Sequence, residues 1–97
     1  MKIGAGGGVE AIVQAMGGHR GSEGVQRHGC GALGNLAANN TDNKVKIGAR
    51  GGVEAIVQAM GAHRGSEVVQ WAGCGALWNL AGNADNVVKI GDRKSVV

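Results

Sequence analysis

The chain repeats itself. Residues 2–39 align without a gap to residues 46–83, and only seven of the 38 aligned positions differ. The triplet Lys-Ile-Gly at 2–4 returns at 46–48 and again, one residue early, at 89–91. This divides the chain into two repeats, 1–43 and 44–86, and a partial third, 87–97. A period of 43–44 residues is typical of a solenoid, in which each unit buries its apolar face against its neighbours.

Each unit starts with the signals of a short helix and a tight turn. Asp42 and Asp85 can accept the free N–H groups of a first turn, so they are the predicted N-caps of short helices through 46–49 and its counterparts. Gly51-Gly52 follows, and only glycine adopts the dihedral angles of a sharp turn freely. The pattern predicts a corner there and at 6–8.

Two longer helices complete the unit. Residues 53–60 carry apolar side chains at positions i, i+3, i+4 and i+7, which predicts an amphipathic helix. Ser66 is the predicted N-cap of a third helix over 67–81. On that helix one face is apolar and small, and it is formed by Val69, Gly73, Ala76, Leu77 and Leu80. The sequence therefore predicts an all-α fold.

The two tryptophans, Trp71 and Trp78, are the only aromatic residues. They lie seven residues apart on the third helix and turn away from its apolar face. Two interpretations stay open: they pack against the neighbouring repeat beside Gly34 or against 87–97, or they form an exposed aromatic surface that binds protein, a second copy included. The first repeat has Arg27 and Gly34 at these positions, so the two repeats differ here.

Composition excludes several classes of function. A chain of 97 residues makes one small domain. Its net charge is +3, but the basic residues are dispersed, and so no nucleic-acid partner is predicted. No apolar run reaches the length of a membrane span, and the first residues do not resemble a signal peptide, which predicts no membrane partner. Cys30 and Cys74 are equivalent positions of the repeat, so we expect reduced, packed thiols and a cytoplasmic or nuclear location.

No motif predicts catalysis or a cofactor. The glycines at 4–8 precede a helix as in a phosphate loop, but the spacing of a dinucleotide motif and a Walker lysine are missing. His19, His28 and Cys30 have no companion ligands that would complete a metal site. A cysteine nucleophile would need a base and an oxyanion site, which we do not find. We therefore expect no enzyme, no metal and no cofactor.

The spacing and the residues resemble the armadillo repeat family. The resemblance rests on 51–60 and on Cys74-Gly75-Ala76-Leu77-Trp78-Asn79-Leu80-Ala81, together with their first-repeat equivalents 7–16 and 30–37. It covers essentially the whole chain. It implies a right-handed α-solenoid of three helices per repeat, short, medium and long, in which the third helices line a concave groove for extended peptides.

The resemblance also implies binding residues. An Asn on the third helix bonds the peptide backbone in that family, and the matching positions are Asn35 and Asn79. Some members place a Trp four residues earlier, where this chain has Gly31 and Gly75. Together with Trp71, Trp78 and Arg27, which could hold apolar or cationic side chains and an acidic group, these are the predicted partner-binding residues: Asn35, Asn79, Trp71, Trp78 and Arg27.

The expected function is a non-enzymatic protein-interaction scaffold that binds a protein or peptide. Two repeats and a partial third leave apolar end faces uncovered, which predicts a homo-oligomer, either a simple or a domain-swapped dimer. The alternative is an engineered or excised structural repeat fragment with no ligand beyond its own oligomer.

Overall fold

The computed structural model describes residues 7–91, and all regular structure in that range is helical. Six helices follow one another, separated by short turns, and residues 7–91 contain no strand. The all-α prediction is confirmed. In chain order the helices are α1 (Gly8–Gly18), α2 (Glu23–Ala37), α3 (Thr41–Ala49), α4 (Gly52–Ala62), α5 (Glu67–Leu80) and α6 (Ala84–Gly91).

Ser66, the predicted N-cap of the third helix, does cap a helix, and so does its first-repeat equivalent Ser22. The hydroxyl oxygens of Ser22 and Ser66 accept the backbone N–H groups of Val25 and Val69 at 3.1 and 3.2 Å, which starts α2 and α5. Gly51 lies in the left-handed region at φ +84°, a conformation that favours glycine, and α4 begins at the next residue.

The predicted N-caps of the short helices were wrong by two residues. Asn40 caps α3, since its side-chain oxygen accepts the Asn43 amide at 2.8 Å. Asn83 accepts the Asn86 amide in the same way at 3.1 Å. Asp42 and Asp85 lie inside the first turns, where a carboxylate is still favoured by the helix dipole. Both helices therefore start earlier than predicted, and the repeat boundaries at 43/44 and 86/87 lie inside α3 and α6.

One apolar core runs through both repeats. The predicted stripe of α5 points into it: four of its five residues are buried, and Leu77 is half-buried. Glycines at 29 and 73 let Met16 and Met60 approach the backbone of α2 and α5 closely. The buried apolar side chains are Val9, Met16, Cys30, Leu33, Ala37, Ile47, Val53, Ile56, Ala59, Val69, Ala72, Ala76 and Leu80.

Helices α2 and α5 make the main contact between the repeats. They approach most closely at Gly34, where an added Cβ atom would lie only 3.2 Å from the Cα atom of Ala76. Beside this contact the Asn79 side-chain amide donates to the Gly34 carbonyl at 2.9 Å. A small residue on α2 therefore sets how closely the second repeat stacks on the first.

Two buried or half-buried glutamines close the ends of the medium helices. The amide nitrogen of Gln26 donates to the carbonyls of Met16 and His19 at 3.0 and 2.8 Å. Gln70 donates to the equivalent Met60 and His63 carbonyls, both at 2.9 Å. Because the last carbonyls of a helix have no partner within it, these bonds stabilise the C-terminal ends of α1 and α4.

Candidate functional site

All five residues predicted to bind a partner lie on the surface formed by α2 and α5. Two neighbouring depressions shape this surface, with volumes of ≈ 430 and ≈ 490 Å³. We call them together the α2–α5 groove. Trp78 and Asn79 line the first depression, Arg27 lines the second, and Asn35 and Trp71 line both. The remaining lining residues are Cys30, Gly31, Gly34, Ala72, Cys74, Gly75, Ala76, His28, Ala32 and Val68.

The two tryptophans are the most exposed large apolar side chains of α5. Trp71 is 79% and Trp78 is 83% exposed. Of the two interpretations left open by the sequence, packing on the neighbouring repeat is not what residues 7–91 show. Seven residues at 1.5 Å per residue place the two residues about 10 Å apart along the helix. The groove thus carries two solvent-exposed indoles on one side.

The floor of the groove is made of small residues. At Gly31 and Gly75 no atom lies within 4 Å of the place where a Cβ atom would stand. Ala72 and Ala76 are buried in the α2–α5 contact beneath. Because the floor consists of glycine and alanine, a bound peptide could reach the helix backbone between the indoles and α2.

The two asparagines are in different situations. Asn35 is exposed, and its side chain makes no hydrogen bond within residues 7–91. Asn79 is half-buried, and its side-chain nitrogen already donates to the Gly34 carbonyl. Asn79 therefore ties the repeats together, which leaves Asn35 as the asparagine with its full hydrogen-bonding capacity.

The charge in the groove is positive. Arg27 is exposed on α2, and its guanidinium lies 3.0 Å from the ring Nε2 of His28. Both residues line the second depression. No Asp or Glu lines either depression among the described residues. An acidic group would therefore be attracted to this end of the groove.

The prediction that both cysteines are packing residues is half wrong. Cys30 is fully buried, and burial raises the pKa of its thiol to about 11. Cys74 is exposed and lines the groove, although the sequence around it is nearly the same. The physical reason is the position in the stack: α5 covers the Cys30 side of α2, whereas no helix of residues 7–91 covers the equivalent side of α5.

The other candidates considered in the sequence do not form a site. The glycine run at 4–8 lies mostly outside the described residues, and Gly7 and Gly8 form the start of α1. Within residues 7–91 no group of three or more His, Cys, Asp or Glu side chains could hold a metal ion. No helix in the same range is long and apolar enough to cross a membrane.

Sequence reasoning missed Gln26 and Gln70. A Gln at the same position of both repeats, four residues after a Ser N-cap, was the available signal, but glutamine is usually a surface residue.

The fold and the groove define an all-helical protein with an internal repeat. The chain matches no protein-family model, no curated protein sequence and no solved structure.

Proposed function

We propose that the chain is a non-enzymatic protein-interaction module that binds an extended peptide or partner surface along the α2–α5 groove. The observation that carries the proposal is the pair of exposed tryptophans beside a floor of small residues. Tryptophan is enriched among the residues that dominate binding energy at protein interfaces. Leaving both tryptophans in water is otherwise unfavourable for a chain with so few large apolar side chains.

An armadillo-like right-handed solenoid is the arrangement we propose for the helices. Its support is the regular succession of contacts: four hydrogen bonds join residues 41–45 positions apart, close to one repeat length. The ring of His63, for example, contacts the Arg20 carbonyl at 2.8 Å, and Lys89 donates to the Gly48 carbonyl at the same distance. In this arrangement α2 and α5 are equivalent third helices on one side of the stack.

The groove chemistry suggests what the partner offers. Apolar side chains of the partner would pack on Trp71 and Trp78. Asn35 would bond to its backbone, and an acidic side chain would pair with Arg27. Because truncating a central tryptophan typically removes about 2 kcal/mol or more of binding free energy, each Trp→Ala variant should bind at least about 30-fold more weakly.

Selection from a random peptide library on the immobilised chain tests this proposal. A selected peptide is then titrated against the wild type and the variants Trp71→Ala, Trp78→Ala and Arg27→Ala. The intrinsic fluorescence of the wild type reports directly on the groove, since Trp71 and Trp78 are the only tryptophans of the chain. Val45→Ala is the matched control, because Val45 is an exposed apolar residue on α3. The proposal is wrong if no peptide is selected, or if binding is equal in the tryptophan variants and Val45→Ala.

A structural module with no ligand beyond its own oligomer is the second candidate. It is favoured by an apolar depression of ≈ 320 Å³ on the first repeat, lined by α1 and α2. The Trp71→Ala variant separates the candidates: loss of peptide capture with unchanged mass supports the interaction module, and loss of assembly supports the structural module. Cys30 and Cys74 form no disulfide. For both candidate functions we therefore propose a reducing compartment, the cytoplasm or the nucleus.

A further inference from the structure

The two repeats bury one equivalent face to different extents. In the second repeat this face contacts the first repeat, and the residues that form it are all buried: Ile56, Ala59, Val69, Ala72 and Ala76. In the first repeat no described helix covers the same face, which we call the leading face. Its residues are exposed or half-buried around the ≈ 320 Å³ depression: Ile12, Ala15, Val25, His28 and Ala32.

The fold itself shows what fits such a face. In the second repeat, the equivalent face is covered by the side of α2 that carries Cys30 and Gly34. The equivalent side of α5 carries Cys74 and Trp78, and we call it the trailing face. A second copy that repeated the contact between α2 and α5 would place its leading face on this trailing face. The interface between the two copies would then resemble the interface between the two repeats of one chain.

The side chain of Trp78 is sterically incompatible with that contact. It occupies the position of Gly34, where a Cβ atom alone would come within 3.2 Å of the Ala76 backbone. The residue of a second copy that would meet Trp78 is Ala32, the equivalent of Ala76. An indole cannot fit where a methyl group is already tight. Trp78 is exposed, since nothing in residues 7–91 covers this side of α5.

We propose that the leading face is a docking surface for the trailing face of a second copy, and that Trp78 blocks this docking. The contact is heterologous, since it uses two different surfaces. Heterologous stacking without closure produces filaments. Trp78 therefore stops end-to-end growth of a chain whose repeats otherwise fit one another.

The first test replaces Trp78 by the residue of the first repeat. Weight-average mass is measured by light scattering over a 100-fold range of concentration for the wild type, Trp78→Gly and Trp78→Ala. We expect the mass of Trp78→Gly to rise at least twofold without levelling off, and that of Trp78→Ala to rise less, because its Cβ atom remains. Trp71→Arg is the matched control: it also introduces a first-repeat residue and removes an indole, but it should show no such growth.

The second test removes the partner surface. Ala32→Arg places a charge on the leading face of the Trp78→Gly variant, and we expect the mass to return to that of the wild type. Circular dichroism confirms that each variant is folded, and Trp78→Ala keeps the helix propensity of α5. The proposal is overturned if folded Trp78→Gly and Trp78→Ala have the mass of the wild type, or if growth persists after Ala32→Arg. Peptide capture is a separate readout, so the outcome is independent of the proposed function.

Discussion

Replacing Gln26 by Met tests how the chain closes the end of α1. Gln26 is only 2% exposed, and its amide nitrogen donates to two carbonyls, those of Met16 and His19. Methionine has a similar length and a good helix propensity, but it has no donor. The substitution therefore removes two hydrogen bonds and leaves the volume nearly unchanged.

The expected loss of stability depends on which hydrogen bonds the two carbonyls retain after the substitution. The His19 carbonyl also accepts the Ser22 amide at 3.0 Å, so it retains a partner. No backbone amide within residues 7–91 donates to the Met16 carbonyl, which would be left unsatisfied. An orphaned buried group costs about 1–3 kcal/mol and a net hydrogen bond about 1 kcal/mol, partly offset by burying the thioether. We expect the free energy of unfolding to fall by about 2 kcal/mol, or the Tm by about 8–16 °C.

Urea unfolding followed by circular dichroism measures the change. Gln58→Met is the control, because Gln58 is exposed on α4 and should stay within about 0.5 kcal/mol of the wild type. Gln70→Met repeats the test at the equivalent, half-buried position and should have a smaller effect. Equal midpoints for Gln26→Met and Gln58→Met would refute the reasoning.

The remaining predictions concern two glycines and the two thiols. Gly48→Ala should destabilise the fold, because its Cβ atom would lie 2.0 Å from the side-chain oxygen of buried Asn86. Gly61→Ala, in open space within α4, should raise the free energy of unfolding by about 0.5–1 kcal/mol in the same urea assay. At pH 8 a thiol reagent should modify exposed Cys74 alone in the native chain and Cys30 only after denaturation; rapid double labelling would contradict this. Because burial raises the Cys30 pKa from 9.0 to about 11, the stability that the buried thiol contributes is complete below pH 9 and is lost between pH 9 and 11. Comparing urea midpoints of the wild type and Cys30→Ala across that range measures it.

Local signals in the sequence predicted the helices well. The N-cap at Ser66, the corner at Gly51 and the apolar stripe of α5 are each encoded in the local sequence of a single element. The caps of α3 and α6 were assigned two residues late because Asn40 and Asp42 are both good N-caps. The choice between them depends on where the preceding chain leaves α2, which no local pattern contains.

The sequence was enough to place the five candidate residues on one pair of helices, but it did not predict the contacts that each of them makes. A helical wheel turns Trp71 and Trp78 away from the apolar face of α5, but it does not decide between packing on a neighbour and exposure. It does not show that Asn79 is already bonded to Gly34, because that contact joins residues 45 positions apart. The difference in burial between Cys30 and Cys74 has the same origin. Their local sequences are nearly identical, but α5 covers α2, whereas no helix of residues 7–91 covers the equivalent side of α5.

The short reach of the contacts between repeats has a consequence for biosynthesis. The bonds from Asn79 to Gly34, from Asn86 to Lys44 and from Lys89 to Gly48 close loops of 41–45 residues. At translation speeds of about 5–20 residues per second, each partner follows the other out of the ribosome within about 2–9 seconds. We therefore expect the second repeat to assemble on a first repeat that already exists, so that the order of folding follows the order of synthesis.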